Sequence, residues 1–206
     1  KEWHKAIKAF EELQVQDEQY STLYPYLAQA YEKIGALDEA IETVEKGLTI
    51  DEQNEELYFR ASILAQKAGK MKDAETYLHE IFRINPASQK ASHAYISLLK
   101  RENRYEEVVE HISTMTSFGE YDPIYEWDLA EGYNFLEEYD KARQHFEEAY
   151  PYFKNDSLFL EQYGRFLLDE GEKDKALILF KKAINIDREQ SHLHELIMEL
   201  EDHNHL

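Results

Sequence analysis

The sequence predicts an all-α fold built as an array of repeats, and two observations carry that expectation. Small residues recur at one interval: Ala6, Ala40 and Ala74 are 34 residues apart, Ala142 and Ala176 continue the phase, and Val108 fills the slot between. A fixed period of this length marks an array in which each unit stacks on its neighbours. The composition agrees. The 206 residues include only 7 Gly and 4 Pro against 32% charged and 43% hydrophobic residues, a balance that favours helix and suffices for a substantial core.

The same numbers exclude several functions. A formal net charge of −20, from 43 acidic against 23 basic residues, repels phosphate backbones and anionic lipid, so nucleic acid is not an expected partner. With no Cys, disulfides, thiolate metal sites and cysteine nucleophiles are absent, which fits a cytoplasmic protein. No apolar run approaches the length of a membrane span. There is no glycine-rich phosphate loop, no His-Glu-x-x-His pattern and no nucleophile elbow, and pairs such as Glu137-Glu138 and Glu147-Glu148 read as solvated helix faces, so neither catalysis nor a cofactor is expected. His192, His194, His203 and His205 crowd the end of the chain, but two-residue spacing on a helix points them to different faces, and no metal site is expected there.

A second series keeps the phase of the first. Gly35, Gly69 and Gly171 share the spacing, with Asn103 and Glu137 in the remaining slots, where a helix must end in the left-handed conformation that Gly and Asn adopt at least cost. Asp51, Asn85-Pro86, Asp122-Pro123, Asn155-Asp156 and Asp187 supply turn and helix-start signals at the same interval. The whole pattern resembles the tetratricopeptide repeat, whose period is 34 residues. The resemblance implies a right-handed superhelical solenoid of antiparallel helix pairs.

In that register, residues 1–20 hold a second helix alone, with Trp3, Ala6, Ile7, Phe10 and Leu13 as its apolar positions. The expectation is a truncated repeat whose exposed face invites self-association. Residues 21–54 carry Tyr24, Leu27, Ala28 and Tyr31 in a first helix, then Ala40, Val44 and Gly47 in a second. Residues 55–88 repeat the pattern with Tyr58, Ala61, Ser62, Ala74, Leu78 and Ile81. Residues 89–122 diverge, because Ile96 and Val108 stand where small residues are usual, and looser packing is expected at that joint. Residues 123–156 have Leu129, Ala130, Tyr133, Ala142, Phe146 and Ala149; residues 157–190 have Tyr163, Gly164, Leu167, Ala176, Phe180 and Ala183. In 191–206 a final helix capped by Ser191 turns a stripe of Leu193, Leu196, Ile197 and Leu200 inward.

The family resemblance also implies a function: binding of a protein or peptide in a concave groove lined by the first helix of each repeat. Projected onto this chain, the groove takes Gln29 and Glu32, then Glu56, Phe59, Ile63 and Gln66, then Lys90, His93, Ser97 and Lys100. It continues through Ile124, Trp127, Glu131 and Asn134 to Leu158, Glu161, Arg165 and Leu168. Trp127 stands one place after the position the family commonly gives to tryptophan, which turns it toward the groove as an exposed anchor with Phe59 and Ile63. Packing against the neighbouring repeat is the competing reading for all three. Lys90, His93, Lys100 and Lys33 either form a cationic island for a partner's carboxylate or balance Glu56 and Glu32. The Lys/Asn clamp of the family's chaperone-tail receptors is missing, since the matching pairs read Pro25/Gln29, Phe59/Ile63, His93/Ser97, Trp127/Glu131 and Glu161/Arg165. A scaffold or adaptor is expected; a peptide-sensing regulatory domain and a non-catalytic arm of a larger enzyme are the alternatives.

Overall fold

In a computed structural model that describes residues 2–16 and 20–202, the chain is helical throughout, with no strand among the described residues. Twelve α-helices follow one another: α1 (Glu2–Gln16), α2 (Tyr24–Lys33), α3 (Leu37–Ile50), α4 (Glu55–Lys67), α5 (Met71–Ile84), α6 (Gln89–Arg101), α7 (Tyr105–Ser117), α8 (Pro123–Phe135), α9 (Tyr139–Phe153), α10 (Ser157–Asp169), α11 (Lys173–Ile186) and α12 (Ser191–Asp202). A single 3-10 turn, Ser21–Leu23, leads into α2. Among the described residues no helix is long and apolar enough to cross a membrane.

The helices form two compact units, Lys1–Asn103 and Arg104–Leu206, divided between α6 and α7. In the first, α2 packs on α3 and α4 on α5, with α1 against α2 and α6 against α5. In the second, α8 packs on α9 and α10 on α11, with α7 against α8 and α12 against α11. The short turns between paired helices make them antiparallel.

Turn chemistry sets this phase. The five residues of the second sequence series all adopt left-handed backbone: Gly35 (φ 82°), Gly69 (75°), Asn103 (56°), Glu137 (60°) and Gly171 (81°). The carbonyl left orphaned one turn earlier is satisfied from beyond the bend, as in Lys70 N–H to Ala65 O at 2.8 Å and Glu138 N–H to Tyr133 O at 2.8 Å. Helix starts follow a 34-residue series of their own. The side chains of Asn54, Ser88, Asp122 and Asp156 each accept a hydrogen bond from the first turn of α4, α6, α8 and α10. Asp51, Asn85 and Asp187, read as turn or start signals, serve in the turns, where they close α3, α5 and α11 in extended conformation.

Close approach of the paired helices rests on the small residues. Ala28, Ser62, Ala130 and Gly164 on first helices, and Ala40, Ala74, Ala142 and Ala176 on second ones, are wholly buried. A Cβ on Gly164 would lie 2.5 Å from the ring of Phe180, so the contact exists only because that position has no side chain. Ile96 and Val108, the two larger occupants, are also buried.

At the chain ends the expectations divide. Leu193 and Ile197 of α12 are buried in the core of the second unit, with Leu196 and Leu200 packed against it. On α1, Ile7 and Phe10 do not wait for an absent helix: they pack on Leu27, Ala30 and Tyr31 of α2, and Tyr31 Oη donates to Glu11 at 2.6 Å. Of the large apolar residues of α1, Trp3, Leu13 and Val15 remain exposed.

Candidate functional site

In the first unit, the groove positions on α2, α4 and α6 are linked by charge. Glu32, almost enclosed, receives Lys67 Nζ at 2.5 Å and Arg60 Nη1 at 3.2 Å from α4. Burial disfavours its charge, but the bonds from Lys67 and Arg60 outweigh burial and hold its carboxyl below the usual range. Glu56 meets Lys90 of α6, whose ammonium also stands 3.9 Å from the centroid of the Phe59 ring. Gln66 accepts from Arg101 at 3.4 Å. Of the two readings of the basic residues, Lys90 follows the balancing one, and Glu32 is balanced by Arg60 and Lys67 rather than by Lys33. Gln29, Phe59, Ile63 and Lys100 are half-buried, whereas His93 and Ser97 are exposed.

In the second unit, α8 and α10 present an open groove of about 310 Å³. Glu131, Asn134 and Arg165, all expected from the sequence, line it together with Tyr105, Phe135 and Gln162. Phe135 is 52% exposed and meets Tyr105 ring to ring at 4.5 Å. Arg165 pairs with Glu161 on its own helix at 2.9 Å, and Glu161 also meets His192 at 3.0 Å. The lining thus mixes rings, which include Phe146 and Phe166, with hydrogen-bonding groups, among them the acidic Glu131 and Asp169.

Trp127 is not the exposed anchor that its position in the repeat implied. Its ring lies 5.1 Å from Phe153 and 5.3 Å from Phe159 at steep angles, and its Nε1–H donates to Gln162 Oε1 at 2.5 Å. The indole thus closes the α8–α10 joint against the core. The one-place shift in sequence turned the side chain into the seam between its own pair and the next, where Phe153 of α9 and Phe159 of α10 offered apolar surface that solvent does not. The exposed aromatics on the groove side are Phe135 and, partly, Tyr105, both outside the positions singled out from the sequence.

A second cluster escaped the sequence reading altogether. Glu126 of α8 and His145 and Glu148 of α9 converge, with donor atoms within 4.8 Å of one another. Burial raises Glu126's carboxyl above the usual range, and the neighbouring Glu148 adds to the effect against the opposing pull of His145. Nearby, the Tyr121 hydroxyl is pushed up to about 12 by burial, by its hydrogen bond to Tyr152 and by the two carboxylates. The signal available in sequence was the His145-x-x-Glu148 spacing, which sets both side chains on one face of a helix. Of the terminal histidines, His203 and His205 lie outside the described residues.

Residues 123–188 match a family profile for YpiA-like C-terminal tetratricopeptide repeats, and residues 27–54 match a general tetratricopeptide-repeat profile. The TPR repeat-containing protein YpiA of Bacillus subtilis (strain 168) is 37% identical over 197 residues, 96% of this chain but 47% of the relative, so the chain spans about half that protein's length. Among solved structures, YrrB, described as a TPR protein with an unusual peptide-binding site, aligns with a TM-score of 0.72 at 15% identity, covering 92% of this chain and 98% of YrrB. MamA from Desulfovibrio magneticus RS-1 aligns at 0.71 with 16% identity, covering 82% of this chain and 96% of MamA. At these identities the two structures speak for the fold alone.

Proposed function

Because the chain belongs to the tetratricopeptide repeat family, we propose that it is a non-catalytic scaffold that holds a protein or peptide segment along the first helices of its repeats. The observation that carries this reading is the α8–α10 groove, where exposed Phe135 and half-buried Tyr105 share the lining with Asn134, Gln162 and Arg165. Aromatic walls take an apolar side chain, while amide and guanidinium groups beside them meet a segment's backbone carbonyls or an acidic residue. The description of YrrB as peptide-binding adds support at the level of the fold. The reading takes 21–54, 55–88, 89–122, 123–156 and 157–190 as the repeat units, with residues 1–20 and 191–206 flanking them. It sets the protein in the cytoplasm and includes self-association through Trp3 and Leu13 of α1.

In the first unit the proposed contact surface is thinner. Lys90, Glu56 and Glu32 are already engaged with one another or with Arg60 and Lys67, and the exposed groove positions of α6 are Lys90, His93 and Ser97. The second unit is therefore the proposed seat of affinity.

A peptide selected from a random display library against the whole chain tests the reading. Phe135→Ala and Arg165→Glu should each weaken its binding by about tenfold or more, roughly the loss of one interface hot spot, with helicity unchanged. Chemical-shift changes confined to helices other than α8 and α10, or full affinity in both variants, would overturn it.

A further inference from the structure

Apart from the groove, the described residues bring three ligand-type side chains together where α8 meets α9. His145 Nδ1 stands 2.7 Å from one oxygen of Glu126 and 3.7 Å from one of Glu148. We propose that Glu126, His145 and Glu148 form a binding site for one divalent transition-metal ion of zinc's class, clamping α8 to α9.

The local sequence builds the site from two directions. His145 and Glu148 lie three residues apart on α9 and so share a face, while Glu126 reaches across from the first turn of α8. One imidazole nitrogen and two carboxylate oxygens are a donor set that divalent zinc accepts, with bonds of about 2.0–2.2 Å, and three protein ligands leave room for water. Donors around a tetrahedral ion at that radius lie roughly 3.3 Å apart. The His145 separations of 2.7 and 3.7 Å bracket this value and all three donor atoms lie within 4.8 Å of one another, so rotamer adjustments of about 1.5 Å or less would seat an ion.

Two neighbours hold the donors as the outer partners of metal ligands do. The Tyr133 ring stacks on His145, centroids 5.3 Å apart and planes within 12°, and fixes the imidazole in its plane. Gln144 Nε2 donates to Glu148 at 2.9 Å and leaves the other carboxylate oxygen turned to His145. Glu126 and His145 are only 14% and 18% exposed, so their charges are poorly screened by water. Two carboxylates brought together in such a place repel, and one histidine supplies at most a single compensating charge; a dication compensates both. The competing arrangement is a simple ion pair of protonated His145 with the two glutamates, which binds no metal.

The whole chain, carrying His192→Asn, His194→Asn, His203→Asn and His205→Asn so that the terminal histidines cannot compete, separates the two. Zinc chloride titrated into it at pH 7.5 should bind one ion per chain by calorimetry. It should also raise the melting temperature in a way that a chelator reverses, and shift the His145 imidazole resonances. Glu126→Gln and, separately, His145→Asn should each weaken zinc binding by about tenfold or more. No saturable zinc binding by the folded parent, His145 resonances that do not move with zinc, or equal affinity in both variants would overturn the site and leave an ion pair. The readout in the parent protein decides even if a variant fails to fold. None of these outcomes depends on peptide binding by the groove.

Discussion

The two units fill the same repeat slots but join their helices with different chemistry. In residues 1–103 a mainly aliphatic core, with ring contacts at Tyr58–Tyr77 and Phe82–Tyr95, is crossed by polar ties: Glu32 to Arg60 and Lys67, Glu56 to Lys90, Tyr31 to Glu11, and Asn85 to Glu55 at 3.4 Å. In residues 104–206 a ring cluster takes over. Phe146 lies parallel to Tyr163 at 5.0 Å and tilted over Phe166 at 5.1 Å, while Phe153 and Phe159 enclose Trp127. Charge also appears in the second unit, where Arg143 pairs with Glu172 at 2.5 Å, but it sits at the margin of the rings. A repeat register therefore constrains where helices approach, not which force holds them. Small residues at the crossing points are common to both units; the large residues beside them are free to be ionic or aromatic.

Four measurements would break or sharpen this contrast. The largest effect belongs to Phe146→Ala, which empties the centre of the ring cluster: a fully buried phenylalanine lost to alanine costs about 3–5 kcal/mol. Hydrogen exchange should show protection collapsing in α8 to α12 with little change in α2 to α5; equal loss in both would mean that the units do not differ as described. Trp127→Ala comes next. Because the indole is half-buried, a cost of about 2–3 kcal/mol in chemical denaturation is expected, slightly below the range for full burial. A melting temperature unmoved by the change would return Trp127 to the role of a solvent-facing anchor.

The third measurement addresses charge. Glu32 has its carboxyl held below the ordinary value in the folded state, so its contribution is complete above the unfolded value near 4.5 and fades as pH falls through the lower folded one. Glu32→Gln should cost about 1 kcal/mol near neutrality and flatten the acid limb of stability for the first unit; an unchanged limb would remove Glu32 as a cause. The smallest effect is that of Tyr31→Phe, about 0.5 kcal/mol for one partly solvated hydrogen bond. The Tyr31 hydroxyl is pushed up to about 12 from an ordinary 10, by burial first and then by Glu11. Its contribution is thus whole below pH 10 and disappears as pH rises through 12. Tyr31→Phe should abolish that alkaline decline in α1 helicity, and a decline equal in both proteins would assign it elsewhere.

Much of the fold was legible because it depends on properties that one residue carries alone. Small size at Ala40 or Gly164, and tolerance of left-handed backbone at Gly35 or Asn103, announce themselves wherever they occur. Glu137 entered that series by phase alone, and its φ of 60° fits the series although its residue type does not. Ile96 and Val108 looked like defects, yet they are buried as completely as their smaller counterparts. What was not legible depends on pairs. Whether Trp127 faces solvent is decided by Phe153 and Phe159, whose positions relative to it no periodicity gives. The partners of Glu32 were left open between two readings for the same reason: Arg60 and Lys67, 28 and 35 residues away, are adjacent to it only in space. Glu126 and His145, 19 residues apart on antiparallel helices, meet only once the turn between them has been made.

The indole that was displaced from the groove gives the molecule an optical label. The chain has two tryptophans, one in each unit, and their surroundings differ: Trp3 is 44% exposed on α1, while Trp127 is wedged between two phenyl rings. Emission from Trp3 should be the redder of the two and the more open to a neutral quencher such as acrylamide. Emission from Trp127 should be bluer and better shielded until its surroundings open. The wavelength at which fluorescence changes during unfolding therefore reports which unit has come apart, with no dye and no added residue.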